Sequence, residues 1–348
     1  MPRKRKPAAV DLFCGAGGLS YGMKRAGIRI CAGIDNDPDC RHPFERNVKA
    51  RFLERDIADL TPKEVRSMFP SGSVRILAGC APCQPFSSYT QAGGHDMWTA
   101  LSRFGDLVEG VRPDIVTMEN VPRLTNHGVF KKYTNTLKRA GYHIDHRVIN
   151  CVEYGIPQTR RRLVLLASRH GRIRLMEGSR ASRSPVTVRA AIGGLERLRA
   201  GETSRSDRLH KSRNLSPRNM RRIQRSKQWG TWRDWDSRLR SRCHTHGSGQ
   251  SYGSVYGRMA WDRPAPTITT QFHGFGTGRF GHPRQNRALS LREGAMLQTF
   301  PRRYSFLGRN EDASFVKIGK LIGNAVPVKL GTAIGRCIVS HLDDRGVI

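Results

Sequence analysis

The first sixty residues of this chain admit few folds. The stretch AAVDLFCGAGGLSYGMKRAG (Ala8–Gly27) opens with an apolar run to Phe13, turns through Gly15, Gly17 and Gly18, and continues in a pattern that reads as a helix ending near Gly27. Strand, glycine turn and helix make the opening unit of a nucleotide-type α/β fold: the glycines let the backbone approach a ligand, and the helix N-terminus faces it. Alone, such a turn is a weak signal. The residues after it add weight. Ile28–Ile34 reads as a second strand closed by Asp35, about 20 residues past the turn, where a carboxylate can accept hydrogen bonds from ribose hydroxyls. Asp56, in RDIADL, closes a third short segment in the same manner. Three successive strand ends carrying Phe13 with Gly15, Asp35 and Asp56 point to an adenosine-containing cofactor.

A fourth apolar run, VRILAG (Val74–Gly79), leads into GCAPCQPFSS and puts Cys83 at the carboxyl end of a strand, where ligands and reactive groups gather in open α/β sheets. A lone cysteine is more often a small buried hydrophobe. Here Pro82 stiffens the backbone before it and the polar segment Gln84–Gly94 follows, which favours a nucleophile at the base of a mobile loop. Cys80 and Cys83 also have the spacing of a redox dithiol or half a zinc site. No second such pair completes a zinc set, and Ala-Pro departs from the intervening residues usual in disulfide exchange. Phe104–Val111 has helical spacing and precedes the strand DIVTMEN, so Glu119 stands at a strand end as Cys83 does. It can be read as a helix cap or surface charge, but an acid closing an apolar run is more often functional. Lys131–Gly141 reads as an amphipathic helix, and Tyr142–Cys151 and Leu163–Ala167 as strands flanking GIPQTRRR. Those three arginines alone would suit a phosphate-binding or solvated surface; their strand context favours a site.

Charge decides the partner. The 348 residues carry 61 Lys and Arg against 28 Asp and Glu, a formal net charge of +33, and such a field favours a polyanion, nucleic acid foremost, over simple solubility. The densest block runs from Arg169 to Arg242, with 21 basic residues against 6 acidic. From about Ser168 to Arg258 aliphatic runs vanish and Arg, Ser, Gly and Trp rise. Ser184–Leu198 reads as a proline-started helix packing on the first domain. The remainder, with Trp229, Trp232, Trp235 and GSGQSYGSVYGR, reads as a small irregular domain placing basic and aromatic groups on DNA. Cys243, His244 and His246 cluster without a fourth ligand at a standard spacing, so no zinc site is expected. Eight cysteines at this length make no disulfide framework, and the chain has neither a signal peptide nor an apolar run of bilayer length. A cytosolic protein with reduced thiols is expected, its MPRKRKP opening a short basic arm.

Taken in order, the glycine turn, GCAPCQPFSS, MENVP (Met118–Pro122) and YGIPQTRRRLVLLA (Tyr154–Ala167) resemble the DNA (cytosine-5)-methyltransferase family. RPAPTITT (Arg263–Thr270), LSLREGAMLQTFP (Leu289–Pro301) and GKLIGNAVPVKLGTAIG (Gly319–Gly335) extend the match, which covers roughly residues 8–167 and 255–340. The resemblance implies a Rossmann-like, S-adenosylmethionine-dependent catalytic domain at 8–183 and 284–348, behind an arm at 1–7. A smaller, irregular, basic target-recognition domain with its supporting segment would occupy 184–283. It implies Cys83 as the nucleophile, Glu119 on the base N3, Arg162 on its O2 and Arg160 ordering the catalytic loop. S-adenosylmethionine, released as S-adenosylhomocysteine, would contact Phe13, Gly15, Gly17, Asp35, Asp56, Ile57, Pro82, Leu101, Asn324 and Val326, and no metal is implied. Three positions depart from the family: Asp35 where Glu is common, Asn36 where some relatives stack an aromatic, and Trp98 where many carry Arg. The implied partner is double-stranded DNA bound by a monomer in the bacterial cytoplasm and nucleoid, away from membranes, with or without a cognate restriction endonuclease. Three readings compete. The long basic region weighs against a tRNA-directed cytosine methyltransferase on the same fold, and the filled catalytic positions against an inactive DNA-binding relative. A CxxC oxidoreductase would require Cys80 to matter as much as Cys83.

Overall fold

Seven short runs pair into one sheet in the order β3-β2-β1-β4-β5-β7-β6. They are β1 (Pro7–Leu12), β2 (Arg29–Asp35), β3 (Arg51–Glu54), β4 (Val74–Gly79), β5 (Ile115–Asn120), β6 (His143–Asn150) and β7 (Arg161–Ser168). This computed structural model describes residues 5–82, 95–178 and 184–348, so Cys83 and the loop that follows it lie outside the described residues. The strands β1 to β5 run parallel, whereas β7 is antiparallel to both β5 and β6. The inner strands β1, β4 and β5 are near-continuous apolar runs because both faces are covered, as parallel strands require. At the edge, β6 is mostly exposed or half-buried.

Helices supply the cover. The helix His95–Val111 turns Leu101, Phe104, Leu107, Val108 and Val111 into the core at three- and four-residue spacing, against Val129, Phe130, Tyr133 and Leu137 of the helix Gly128–Arg139. Helix Gly18–Arg25 packs on Val328–Asp344 through glycine: a Cβ on Gly22 would stand 2.5 Å from the Val328 carbonyl oxygen. Among the described residues no helix is long and apolar enough to cross a membrane.

The chain divides into two compact units. The first comprises Met1–Tyr154, Arg161–Ser179 and Ala325–Ile348 and holds the sheet; the second comprises Gly155–Arg160 and Arg180–Asn324. Short helices, 3-10 turns and isolated bridges build the second unit, around a small cluster of Ile223, Trp232, Trp235, Phe275 and Ala288. Trp232 and Trp235 are therefore core residues, 5 % and 3 % exposed, and do not face DNA as their composition suggested. The helix expected over Ser184–Leu198 spans only Val188–Ile192, capped by Thr187, and its first amides donate to Arg263 O and Trp261 O inside the second unit.

Arginines complete that interior. Arg287, 0 % exposed, donates Nη1 and Nη2 to the two oxygens of Glu293, both at 2.7 Å. Glu293 also accepts from Ser290 N, and the guanidinium beside it holds its carboxyl down at about 2 against the upward push of burial. Arg292 forks onto Asp207 at 2.6 and 3.1 Å. Arg222 donates to Leu239 O and Ser241 Oγ while lying 5.4 Å from the ring centre of Trp235.

Candidate active site

Strand order reverses at the first strand, since β1 has β2 on one side and β4 on the other. A crevice outside the carboxyl ends of such strands is where open α/β sheets bind ligands. The glycine turn stands there. Phe13, Gly15 and Gly17 have φ of 59°, 51° and 86°, a run of left-handed backbone that costs glycine little. It leads directly into the helix Gly18–Arg25, whose N-terminus has no side-chain cap among the described residues. The turn is braced from β2: Cys14 N donates to Ile34 O at 3.0 Å, and Gly15 N to Asp35 Oδ2 at 2.9 Å. Asp35 Oδ1 accepts from Asp37 N at 3.0 Å, so this carboxylate braces both the glycine turn and the bend after β2. Asp56 caps the 3-10 turn Ile57–Asp59 through Ala58 N and accepts from Asn36 Nδ2 at 3.1 Å. Ile57 and Leu101 are buried in the core cluster.

One further residue of this region is not among those expected from the sequence. Asp11 sits inside β1, buried, with Oδ2 accepting from Ser20 Oγ at 2.6 Å and Oδ1 without a hydrogen-bond partner among the described residues. Burial pushes its carboxyl up to about 7, with Asp35 adding to the rise. A signal for it exists: an acid in the middle of the apolar run AAVDLF has no reason to be there for packing alone.

The second cluster forms where β4, β5 and β7 meet. Parallel pairing of Gly79 with Met118 carries Cys80 level with Glu119, and the Cys80 thiol donates to Glu119 Oε2 at 3.0 Å. Arg162, at the start of β7, places Nε 2.9 Å from Glu119 Oε1. That contact is an ion pair without the alignment of a hydrogen bond, so among the described residues Oε1, on a side chain 3 % exposed, keeps lone-pair capacity. Asn120 Nδ2 donates to Ala81 O at 3.1 Å and fixes the backbone just before Pro82, which is exposed. The structure thus brings Cys80, Glu119 and Arg162 together at the strand end that leads through Pro82 to Cys83.

Other expected site residues are placed elsewhere. Arg160 belongs to the second unit, where it is buried and donates Nη1 to the carbonyls of Ile268 at 3.0 Å and Gly323 at 3.4 Å. The loop it was expected to order lies outside the described residues. Asn324 ends the helix Phe315–Asn324 in the second unit, and Val326 is buried in the first. Among the described residues no group of three His, Cys, Asp or Glu side chains is placed to hold a metal ion.

Known proteins share this sequence and this architecture. The model of the C-5 cytosine-specific DNA methylase family matches residues 8–340. The Type II methylase M.HgiDII of Herpetosiphon aurantiacus is 46% identical over 340 residues, 97% of this chain and 96% of that protein. The Type II methyltransferase M1.BsuMI of Bacillus subtilis is 33% identical over 343 residues, covering 92% and 77%. A solved structure from Escherichia coli, described as a DNA modification methyltransferase encoded within a prophage, superposes with TM-score 0.73 at 20% identity, over 97% of this chain and 100% of that one. Dnmt2 of Spodoptera frugiperda superposes with TM-score 0.67 at 18% identity, over 96% and 100%.

Proposed function

The chain belongs to the C-5 cytosine-specific DNA methylase family, and from that premise we propose how its own residues methylate C5 of cytosine in DNA. It is an enzyme, a DNA (cytosine-5)-methyltransferase. The observation that carries the reading is the buried Glu119 carboxyl, held by Arg162 and Cys80 with Oε1 still able to bond. Cytosine C5 is a poor nucleophile until electrons enter the ring. The Cys83 thiolate supplies them by forming a bond to C6, and Glu119 shares a proton with N3, where negative charge develops. Arg162 holds O2. After C5 has gained its methyl group, the C5 proton leaves to water, the Cys83–C6 bond breaks and aromaticity returns. None of these atoms can be reached inside a stacked duplex, so the cytosine is flipped out.

S-adenosylmethionine, when bound, supplies an electrophilic methyl group. The residues at the switch point fit it: left-handed backbone at Gly15 and Gly17 makes room, Asp35 retains lone pairs for ribose hydroxyls, and the open Oδ1 of Asp11 suits a cationic ligand. Phe13, Asp56, Ile57, Pro82, Leu101, Asn324 and Val326 complete the set by their family positions. The net charge of +33 suits double-stranded DNA. Because M.HgiDII and M1.BsuMI are Type II enzymes, this chain is read as the modification partner of a restriction endonuclease, acting as a monomer in the bacterial cytoplasm.

Duplex DNA with 5-fluorocytosine at the target tests the reading. Fluorine cannot leave C5 as the proton does, so in the presence of S-adenosylmethionine the enzyme becomes trapped as an adduct that survives denaturing electrophoresis. Cys83→Ser abolishes trapping, while Cys80→Ser leaves it largely intact. An adduct that persists in Cys83→Ser, or is lost equally in Cys80→Ser, overturns the assignment.

A further inference from the structure

Trp229 differs from the two tryptophans that follow it. It is 38 % exposed, and its backbone stands at φ 63°, a left-handed conformation that a bulky side chain rarely adopts. The second unit holds it there from two directions. Trp229 N donates to Arg258 O at 2.9 Å, and Arg258 N to Gly230 O at 3.2 Å. The Arg258 guanidinium is buried among the carbonyls of Ile223, His282 and Gln285, so this anchor is itself fixed. From the other direction Arg279 Nη1 donates to the carbonyls of Trp229 and Gly230. A strained residue that is both firmly held and displayed points to a use for its side chain.

Cations surround the ring. The guanidinium carbon of Arg279 lies 4.6 Å from the ring centre and that of Arg263 lies 4.9 Å from it. Arg225 and Lys227 are exposed on the same stretch. Among the described residues none of these four cations is ion-paired with a carboxylate. Asp234 is the acid that Arg279 senses, but its Oδ2 accepts from Thr231 N at 2.7 Å. Donor capacity is left over as well: Arg279 commits only Nη1, and Arg263 donates no side-chain hydrogen bond among the described residues. Two like charges gathered on one ring repel each other until an anion joins them, and arginine's planar fork matches phosphate oxygens.

We infer that Trp229, Arg263 and Arg279 grip the sugar–phosphate backbone of duplex DNA, the guanidiniums taking phosphate oxygens and the indole holding them in register against the deoxyribose. The inference rests on the DNA-methylating function proposed above and adds a contact to it. Phosphate contacts position a protein without reading sequence, so this grip contributes affinity and salt dependence, not target choice.

The test uses the full chain and two labelled duplexes, one carrying the methylated sequence and one unrelated, titrated across salt concentrations. Arg263→Ala/Arg279→Ala weakens both duplexes to the same degree and flattens the slope of log affinity against log salt by about 1.8, two phosphates' worth. Trp229→Gly, which removes the ring and relieves the left-handed backbone, binds both duplexes several-fold more weakly with a Tm equal to or above that of the parent. An unchanged slope sinks the proposal. So does a loss confined to the target duplex, which would mark a base contact, or a fall in Tm that accounts for the loss in Trp229→Gly. Methyl transfer by the parent protein is measured in parallel: its absence would remove the functional reading, whereas transfer with parent-like binding by the variants would remove only the grip.

Discussion

The two units bury charge in opposite ways. The sheet unit buries carboxyls and leaves them partly unspent: among the described residues, Asp11 Oδ1 and Glu119 Oε1 are sealed from water without a hydrogen bond. The second unit buries guanidiniums and commits most of their donors, with Arg287 on Glu293, Arg292 on Asp207, and Arg222 and Arg258 on carbonyls. An unspent buried acid costs stability, whereas a committed buried cation ties the chain together as a sheet does elsewhere. Positive charge in the second unit is therefore of two kinds. Part of the block whose composition suggests DNA is internal scaffold.

If the contrast is right, changing an acid in the sheet unit should cost activity and changing one in the second unit should cost folding. Glu119→Gln is expected to slow single-turnover methyl transfer by roughly a hundredfold to ten-thousandfold, the range for losing an acid that stabilises developing charge, with a comparatively small change in melting. Equal losses in rate and stability would break the comparison. Glu293→Ala should destabilise by about 3 to 5 kcal/mol in a denaturant titration, because it strands the Arg287 guanidinium in the interior. A loss under about 1 kcal/mol would mean that the pair is replaceable packing.

Acid should separate the units more gently. His282, held neutral by burial with its pKa lowered to about 4, takes up its proton later than the unfolded chain does, so the second unit loses stability as pH falls from about 6.5 to 4. Glu293, lowered to about 2, extends that loss below about pH 4.5. Asp11 has the reverse sign. Its pKa is raised to about 7, so the folded chain binds the proton first and this group favours folding as pH falls from 7 towards 4. Asp11→Asn should therefore raise Tm more at pH 8 than at pH 5, while weakening S-adenosylmethionine binding in calorimetry. A Tm gain of the same size at both pH values would mean that the Asp11 carboxyl is not raised by burial and is ionised throughout that range. The smallest effect concerns Cys80. Replacing its thiol by Ala should slow methyl transfer several-fold, about the worth of one hydrogen bond, and Ser should recover part of the loss. Identical rates for Ala and Ser would reduce the contact to proximity.

Much of the sheet unit is legible in the amino-acid sequence. Buried parallel strands leave mostly apolar runs, and β1, β2, β4 and β5 fall within a residue or two of where those runs stand. The places of Glu119 and Arg162 beside strand ends are readable there too. Cys80 reads in the sequence only as a partner for Cys83, because its contact with Glu119 depends on the register between β4 and β5, a non-local fact. The second unit is hardly legible. Composition reports how many arginines and tryptophans a stretch carries but not which are interior, and without a repeating period Arg222 and Trp235 look the same as Arg225 and Trp229.

The hexapeptide Gly155–Arg160 has a consequence for building hybrids. It lies immediately before β7 in the chain, yet its bonds belong to the second unit: Gln158 Nε2 donates to Leu297 O and Gln298 Oε1, its Oε1 accepts from Ile268 N, and Arg160 takes the carbonyls of Ile268 and Gly323. A chimera cut only near residues 180 and 324 would seat a foreign second unit on the host's hexapeptide. Grafts that carry both pieces should fold where single-piece grafts fail, and in natural lineages the two stretches should be inherited as a pair although about twenty residues of sheet unit separate them.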